Sequence, residues 1–325
     1  MTHTLLSRRA FTQAAAAFAT FPTLARAQDS KPIEWVIGYA AGGGSDVLAR
    51  TIAEPMGKAL GRSIFVNNKP GAATNIAADY VAKSRDIGNI MFSADFATLA
   101  ANPALFSKLP YDAEADFTPV GLMARFPLLL VVAPNVPAKN FKEFAAWVKA
   151  NKDGSSYASA GAGSPHHLAG ELLRERSGLA LQHVPYRGAA PAVQDLLGGQ
   201  VPCGIIDSAS VQQYLTSGKL RAVGVASPKR LTVFPDIPTL AEQGLTGFEA
   251  FAWQGLVVPK ATPAPMVVAL NKALQAALDN TYVKARFQTL ALEALPGTPE
   301  QMQAYARSER ERWGKLIRER GIKLD

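Results

Sequence analysis

The sequence predicts an α/β protein of two lobes joined by a hinge, each lobe a sheet flanked by helices. Three observations carry this. Apolar, strand-like runs alternate with amphipathic, helix-like runs in two separate series. The chain passes from one series to the other near Pro127 and back over Phe251–Pro259. The length of 325 residues lies where single cores tend to split in two.

In the first series "IEWVIGY" reads as a buried strand. "SDVLARTIAEPMGKALG" follows with apolar pairs at near-fourfold spacing, one face of a helix, and Pro55 inside it predicts a kink or broken turn. "SIFVNN" is a strand, "NIAADYVAKS" a helix and "NIMFSA" a third strand, the pattern of a parallel sheet. The second series runs "PLLLVVA" (strand), "FKEFAAWVKAN" (helix), "SSYASA" (strand), "HHLAGELLRERSG" (helix) and "LQHVPY" (strand). It continues with "APAVQDLLGGQ" (helix), "CGIIDS" (strand), "SVQQYLTSG" and "LRAVGVAS". After the return crossing, Thr262-Pro263 predicts a helix through Leu278 with Thr262 as N-cap. "TPEQ" at Thr298–Gln301 carries a capping box. Met302, Tyr305, Trp313, Leu316 and Ile317 form one apolar stripe of that last helix, which Gly321 ends. The predicted lobes are residues 28–124 with 253–325, and residues 125–252.

Residues 1–27 read as an export signal rather than as part of the fold. Arg8-Arg9 precede a short alanine-rich apolar run, and "ARA" at Ala25–Ala27 gives the small residues of a cleavage site. Paired arginines before Phe11 resemble a twin-arginine signal, although ordinary export signals carry such pairs too. Cleavage after Ala27 removes Arg8, Arg9 and Arg26, so the net charge falls from +8 to +5. A mildly basic surface agrees with an anionic ligand. No basic run with interleaved aromatics points to nucleic acid. The single cysteine, Cys203, leaves no internal disulfide, and no later run is long and apolar enough to span a membrane.

Three glycine-rich loops carry the predicted chemistry. "YAAGGGSD", Tyr39–Asp46, stands at the carboxyl end of the first strand and opens a helix. Ligands of open α/β sheets bind at such strand ends, and a helix N-terminus offers free N–H groups and partial positive charge. Tyr39, Gly43, Gly44 and Ser45 are the candidate contacts, with Asp46 as a cap or hinge anchor. The loop is neither a dinucleotide fingerprint nor a phosphate loop, and by itself it fits a tight strand–helix turn equally well. Gly71, Thr74 and Asn75 open the second helix. Ser159, Gly161, Gly163, Ser164 and His166 surround the start of a helix in the second series. Three such helix ends from both lobes can surround one small carboxylate, each worth about 0.3–1 kcal/mol. Plain capping explains Thr74 and Ser164 equally well.

These loops, in this order, resemble those of Bug-type solute-binding proteins, the extracytoplasmic receptors of tripartite tricarboxylate transporters. "HVPYRGAAPAVQDLLGGQV", "GKLRAVGVASPKR", "FPDIPTLAEQGLTGFEAFAWQGLVVPKATP" and "ERERWGKLIRERGIKLD" are similar to further segments of the family. The resemblance implies a periplasmic-binding-protein-like fold with a hinged cleft, no cofactor, no metal, and a monomer in the periplasm. It implies a carboxylate held largely by main-chain N–H groups and delivered to membrane permease subunits. It also places Asp207 or Ser208, at the end of "IIDS", near the far end of the solute. Where the family usually has Gly-Ala-Gly-Gly this chain has "GAAT", Gly71–Thr74, which suggests a contact from the Thr74 hydroxyl. His167 takes the family's histidine position and reads as structural. His166 stands where a small residue is usual; it either faces the cleft, making binding pH-dependent, or lies on the surface.

Two rivals remain at this level. A receptor of the same fold could signal to a membrane sensor kinase. A hydrolase would need a serine and a histidine within hydrogen-bond reach, yet no G-x-S-x-G elbow and no metal-ligand spacing occurs. The solute class stays open among aliphatic di- and tricarboxylates, acidic amino acids and aromatic acids. Arg125 and Arg187 are candidates for a second carboxylate, and Phe96, Phe126 and Trp253 for an aromatic ring; solvated surface and core packing are their simpler roles.

Overall fold

The structure is a computed structural model and describes residues 31–151 and 155–325. The export-signal reading of residues 1–27 lies outside the described residues. Three parallel strands come first: β1 (Ile33–Ile37), β2 (Ile64–Asn68) and β3 (Ile90–Asp95). The helices α1 (Gly44–Leu60) and α2 (Asn75–Ala82) connect them, followed by a π-turn at Ala97–Ala101 and α3 (Asn102–Leu105). Helix α1 continues through Pro55, so of the two expected outcomes the broken turn does not occur.

Strand β4 (Phe117–Val132) is the spine. The sequence suggested a strand beginning at Pro127, but β4 begins ten residues earlier (127 − 117). From Phe117 to Pro127 it pairs antiparallel with β9 (Phe251–Pro259). From Leu128 to Val132 it pairs with β7 (Cys203–Asp207) and β8 (Arg221–Val225). Pro127, which has no N–H to give to a ladder, therefore falls where the strand changes partners. Parallel strands β5 (Ser156–Ser159) and β6 (Gln182–Pro185) complete the order β2-β1-β3-β9-β4-β7-β5-β6. The helices of this part are α4 (Phe141–Ala150), α5 (Pro165–Ser177), α6 (Ala189–Leu197) and α7 (Ser208–Thr216).

The side chains of β4 alternate between two hydrophobic clusters, as a period of two requires. Leu128, Leu130 and Val132 enter the larger cluster, Leu129 and Val131 the smaller one under α6 and α7. After β9, helices α8 (Ala264–Asp279), α9 (Thr281–Thr289) and α10 (Pro299–Glu319), with the short β10 (Glu293–Ala294), return to the first strands. Helix α8 starts one residue later than expected. Pro263 is its N-cap without a side-chain acceptor, and the Thr262 hydroxyl is buried and unpaired. The capping box of α10 forms as expected, with Thr298 accepting from the Gln301 N–H and Gln301 from the Thr298 N–H.

An aromatic cluster fixes α10 beneath the carboxyl ends of the strands. Trp253 of β9 meets Phe96 and Tyr305 edge-on, with centroids 6.5 and 5.2 Å apart, and Phe96 meets Trp313 at 5.2 Å. Both indole N–H groups donate to Glu309, at 3.1 and 3.2 Å. Each buried aromatic contributes area burial, and each edge-on pair about 0.5–1.5 kcal/mol more. The sole cysteine, Cys203, is buried on β7, its thiol donating to Ser156 O, and burial pushes its pKa up.

Candidate functional site

The first loop leaves β1 at Gly38 and turns into α1 with Gly43 as N-cap and no side-chain acceptor there. The missing acceptor comes from far along the chain. The Gly44 N–H donates to Ser210 Oγ of α7 at 2.8 Å. Asp207, the N-cap of α7, accepts the Ser210 N–H at 3.0 Å and the Ser210 hydroxyl at 2.9 Å. A Cβ at Gly44 would lie 2.2 Å from Asp207 Oδ1, so this approach needs glycine. A second strut joins the Ala40 N–H to Arg187 O at 3.1 Å. Asp46 anchors the loop from within α1, accepting the Gly42 N–H at 3.0 Å and Arg50 Nε at 3.0 Å. Burial would raise its pKa, but these bonds, first that of Arg50, hold its carboxyl below the usual range.

Under this loop lies a cavity of about 20 Å³ lined by Tyr39, Gly43, Gly44, Ser45, His166 and Asp207, among others. Six of the expected residues thus come together. Asp95, Gln254, Phe126 and Trp253 line it too. Asp95 and Gln254 were not anticipated, although Asp95 ends β3 as Gly38 follows β1, at the same edge of the sheet. Tyr39 donates its hydroxyl to Asp95 Oδ2 at 2.6 Å, while Thr98 donates both its N–H and hydroxyl to Asp95 Oδ1. Burial raises the pKa of Asp95, and burial with the neighbouring Asp95 charge raises that of Tyr39.

The second loop faces a different space. Thr74, Gly161 and Ser164, with Tyr39 again, line a groove of about 420 Å³ beside the cavity, the two sharing Tyr39 and Ala160. The first and third loops thus line the cavity, and the second and third the groove that adjoins it. Ala72, Ala73 and Thr74 take left-handed φ of 47°, 51° and 72° in succession. Each costs a non-glycine residue about 1–2 kcal/mol, which explains why glycines suit this turn. Asn102 braces it, donating to Ala73 O at 2.7 Å and to Asn75 Oδ1 at 2.8 Å. Thr74 Oγ1 lies 2.8 Å from Thr98 Oγ1, whose own proton goes to Asp95. Thr74 must donate there, so its hydroxyl proton is committed. It does not cap α2.

Ser164 does cap α5, accepting the His167 N–H at 3.2 Å and donating to Gly161 O at 2.6 Å. Asp46, Asn75, Ser159 and Gly163 line neither space. Gly163 donates its N–H to His167 Nδ1 at 3.1 Å, and the His167 ring stacks on His183 at 4.0 Å, so His167 is structural. Ser159 Oγ lies 2.6 Å from His183 Nε2, the geometry a hydrolase would use. Ser159 is nevertheless fully buried away from both spaces, and burial pushes the His183 pKa down to about 3, too low for a general base near neutrality. Arg125 is engaged with Glu293 at 2.7 Å and stacks over Phe251, outside both spaces. Phe96 is core; Phe126 and Trp253 are core residues with one edge on the cavity.

Residues 48–322 match the family model described as the tripartite tricarboxylate transporter family receptor. The chain belongs to this family. Among solved relatives, the periplasmic binding protein BugD is 36% identical, with a TM-score of 0.88 over 91% of this chain and 99% of that one. An R. palustris protein solved with adipate is 31% identical, with a TM-score of 0.87 over 90% and 98% of the two chains. MatC from Rhodopseudomonas palustris, solved with bound malate, is 34% identical, with a TM-score of 0.83 over 91% and 100%. The receptor therefore has the α/β fold of periplasmic binding proteins of this type. Among its described residues no helix is long and apolar enough to cross a membrane.

Two outcomes follow from the geometry. Gly44→Ala should cost about 1–3 kcal/mol by overpacking. Gly43→Ala, whose Cβ would have no neighbour nearer than 3.7 Å, should cost clearly less in the same urea titration; equal costs would contradict the close approach. His183 is held neutral, so its contribution is complete above about pH 6.5 and is lost as pH falls towards about 3. His183→Gln should flatten the fall of stability between pH 6 and 4 by about 1.4 kcal/mol per pH unit. An unchanged slope would show that the ring is not buried neutral.

Proposed function

We propose that this receptor captures a small carboxylate where its glycine-rich loops meet and delivers it to the permease subunits of a tripartite transporter. The observation that carries the reading is the cluster of loop and helix starts at the strand ends. There, the starts of α1 and α5 bring helix N-termini and their partial positive charge together, with no lysine or arginine among the residues lining the cavity. Neutral donors hold an anion and still release it, which suits carriage. Adipate and malate in two relatives of the same fold support a carboxylate as the solute. The solute classes in view are aliphatic di- and tricarboxylates, acidic amino acids and aromatic acids.

In this reading residues 28–124 with 253–325 form one lobe and residues 125–252 the other, and the protein works as a periplasmic monomer after removal of residues 1–27. Only β4 and β9 run continuously along the boundary, which suits a hinge. The Gly44–Ser210 and Ala40–Arg187 hydrogen bonds cross from one set of residues to the other and would close with the ligand. No catalytic step is assigned.

A thermal-shift screen of residues 28–325 against mono-, di- and tricarboxylates, aromatic acids, amino acids and neutral sugars tests the reading. A ligand present at about a hundred times its Kd should stabilise the fold by about 2.7 kcal/mol. At least one acid should raise the melting temperature and be recovered unchanged. Shifts confined to neutral solutes, or turnover of a bound acid, would contradict the proposal.

A further inference from the structure

The segment that follows α10 reaches the third glycine-rich loop. Gly321 turns the chain at a φ of 60°, and the Ile322 N–H bonds back to Ile317 O at 3.0 Å. Leu324 and Asp325 then run along the end of α3. The Leu324 N–H donates to Leu105 O at 3.0 Å. The Asp325 carboxylate accepts the Ser107 N–H at 2.6 Å and the Ser107 hydroxyl as well.

So pinned, the Leu324 side chain lies on Gly163. A Cβ at Gly163 would sit 2.9 Å from Leu105 Cδ1 and 3.1 Å from Leu324 Cδ1, so both methyl groups rest on bare main chain. Gly163 also takes a left-handed φ of 77°, so conformation and close approach both call for glycine. On its other side Gly163 is held by His167 Nδ1, which accepts its N–H. The loop between these two holds walls both spaces: Ala160, Pro165 and His166 line the cavity, and Gly161, Ala162 and Ser164 the groove. Leu324 and Asp325 themselves line neither. Nearby, Arg320 lies 3.9 Å from Glu175 of α5, but both side chains are more than a third exposed and the pair adds little.

Leu105, Ser107 and the segment after α10 belong to one of the two lobes proposed above, and Gly163 to the other. We propose that Leu324 and Asp325 form an interlobe latch: Asp325 fixes the segment to Ser107, and Leu324 seats on Gly163 and holds the third loop against the opposite lobe. This rests on the two-lobe reading and adds to it an apolar contact, separate from the Gly44–Ser210 and Ala40–Arg187 hydrogen bonds. Parting the lobes lifts Gly163 off Leu324 and returns that apolar surface to water, so the contact favours the closed form. How long a solute stays then depends on residues outside the site.

A spin-label distance measurement on the solute-free receptor tests this. Lys83→Cys and Lys149→Cys place one label on an exposed position of each lobe, and the buried Cys203 stays unlabelled. Leu324→Ala and Asp325→Ala should each enlarge the long-distance population about threefold or more. Leu324→Met, which keeps the apolar contact, should match the unsubstituted receptor. Ser210→Ala, which removes a different contact between the lobes, is the comparison. Lengthening in Ser210→Ala with none in Leu324→Ala and Asp325→Ala would overturn the latch and leave the hinge standing. Equal lengthening in Leu324→Met and Leu324→Ala would overturn it too. If no variant lengthens the distance, the two-lobe reading fails and the latch with it.

Discussion

The start of α1 lacks a side-chain acceptor of its own, and much of the site follows from that. A helix N-terminus leaves its first N–H groups without intrahelical partners. Here glycine occupies both the cap and the first helical position, and Ser210 supplies an acceptor to one of these groups from α7, 166 positions away. That bond is possible only because Gly44 lets Asp207 approach, and Asp207 in turn sets both Ser210 and His166. One short approach between two helix starts therefore orients the side chains of the cavity.

The neighbouring turn shows how the chain tolerates strain at the same place. Three successive left-handed residues, Ala72–Thr74, are held by Asn102 and by the relay from Thr74 through Thr98 to Asp95 and Tyr39. Strain of this kind persists only where surroundings over-determine it, and it gathers at sites that bind. The relay also links the groove to the cavity, because Tyr39 lines both. Asp95 is thereby held buried and fully hydrogen-bonded at the wall of the cavity.

Periodicity carried most of the fold. The succession of strand-like and helix-like runs, the capping box of α10 and the family segments were all legible in the residues themselves. Local signals failed where a distant partner decided the outcome. Pro127 reads as the beginning of a strand, but it sits at the change of partners within β4. Thr262-Pro263 reads as cap and first residue, but α8 begins one position later. In the site, the glycine loops were legible because backbone conformation leaves a mark in composition. Asp95 and Gln254 left none, since an aspartate or a glutamine inside a strand pattern does not say which face it takes. His166 could be read as cleft or surface until its 3.2 Å contact with Asp207 placed it on the cavity.

The most direct test of the account is a crystal structure of the exported protein with the acid that it carries when purified, identified by denaturing extraction and mass spectrometry. The account predicts a carboxylate within hydrogen-bond reach of main-chain N–H groups of the loops at Gly43–Ser45, Gly71–Thr74 or Gly161–Ser164. A neutral solute, or an acid bound away from all three loops, would contradict it.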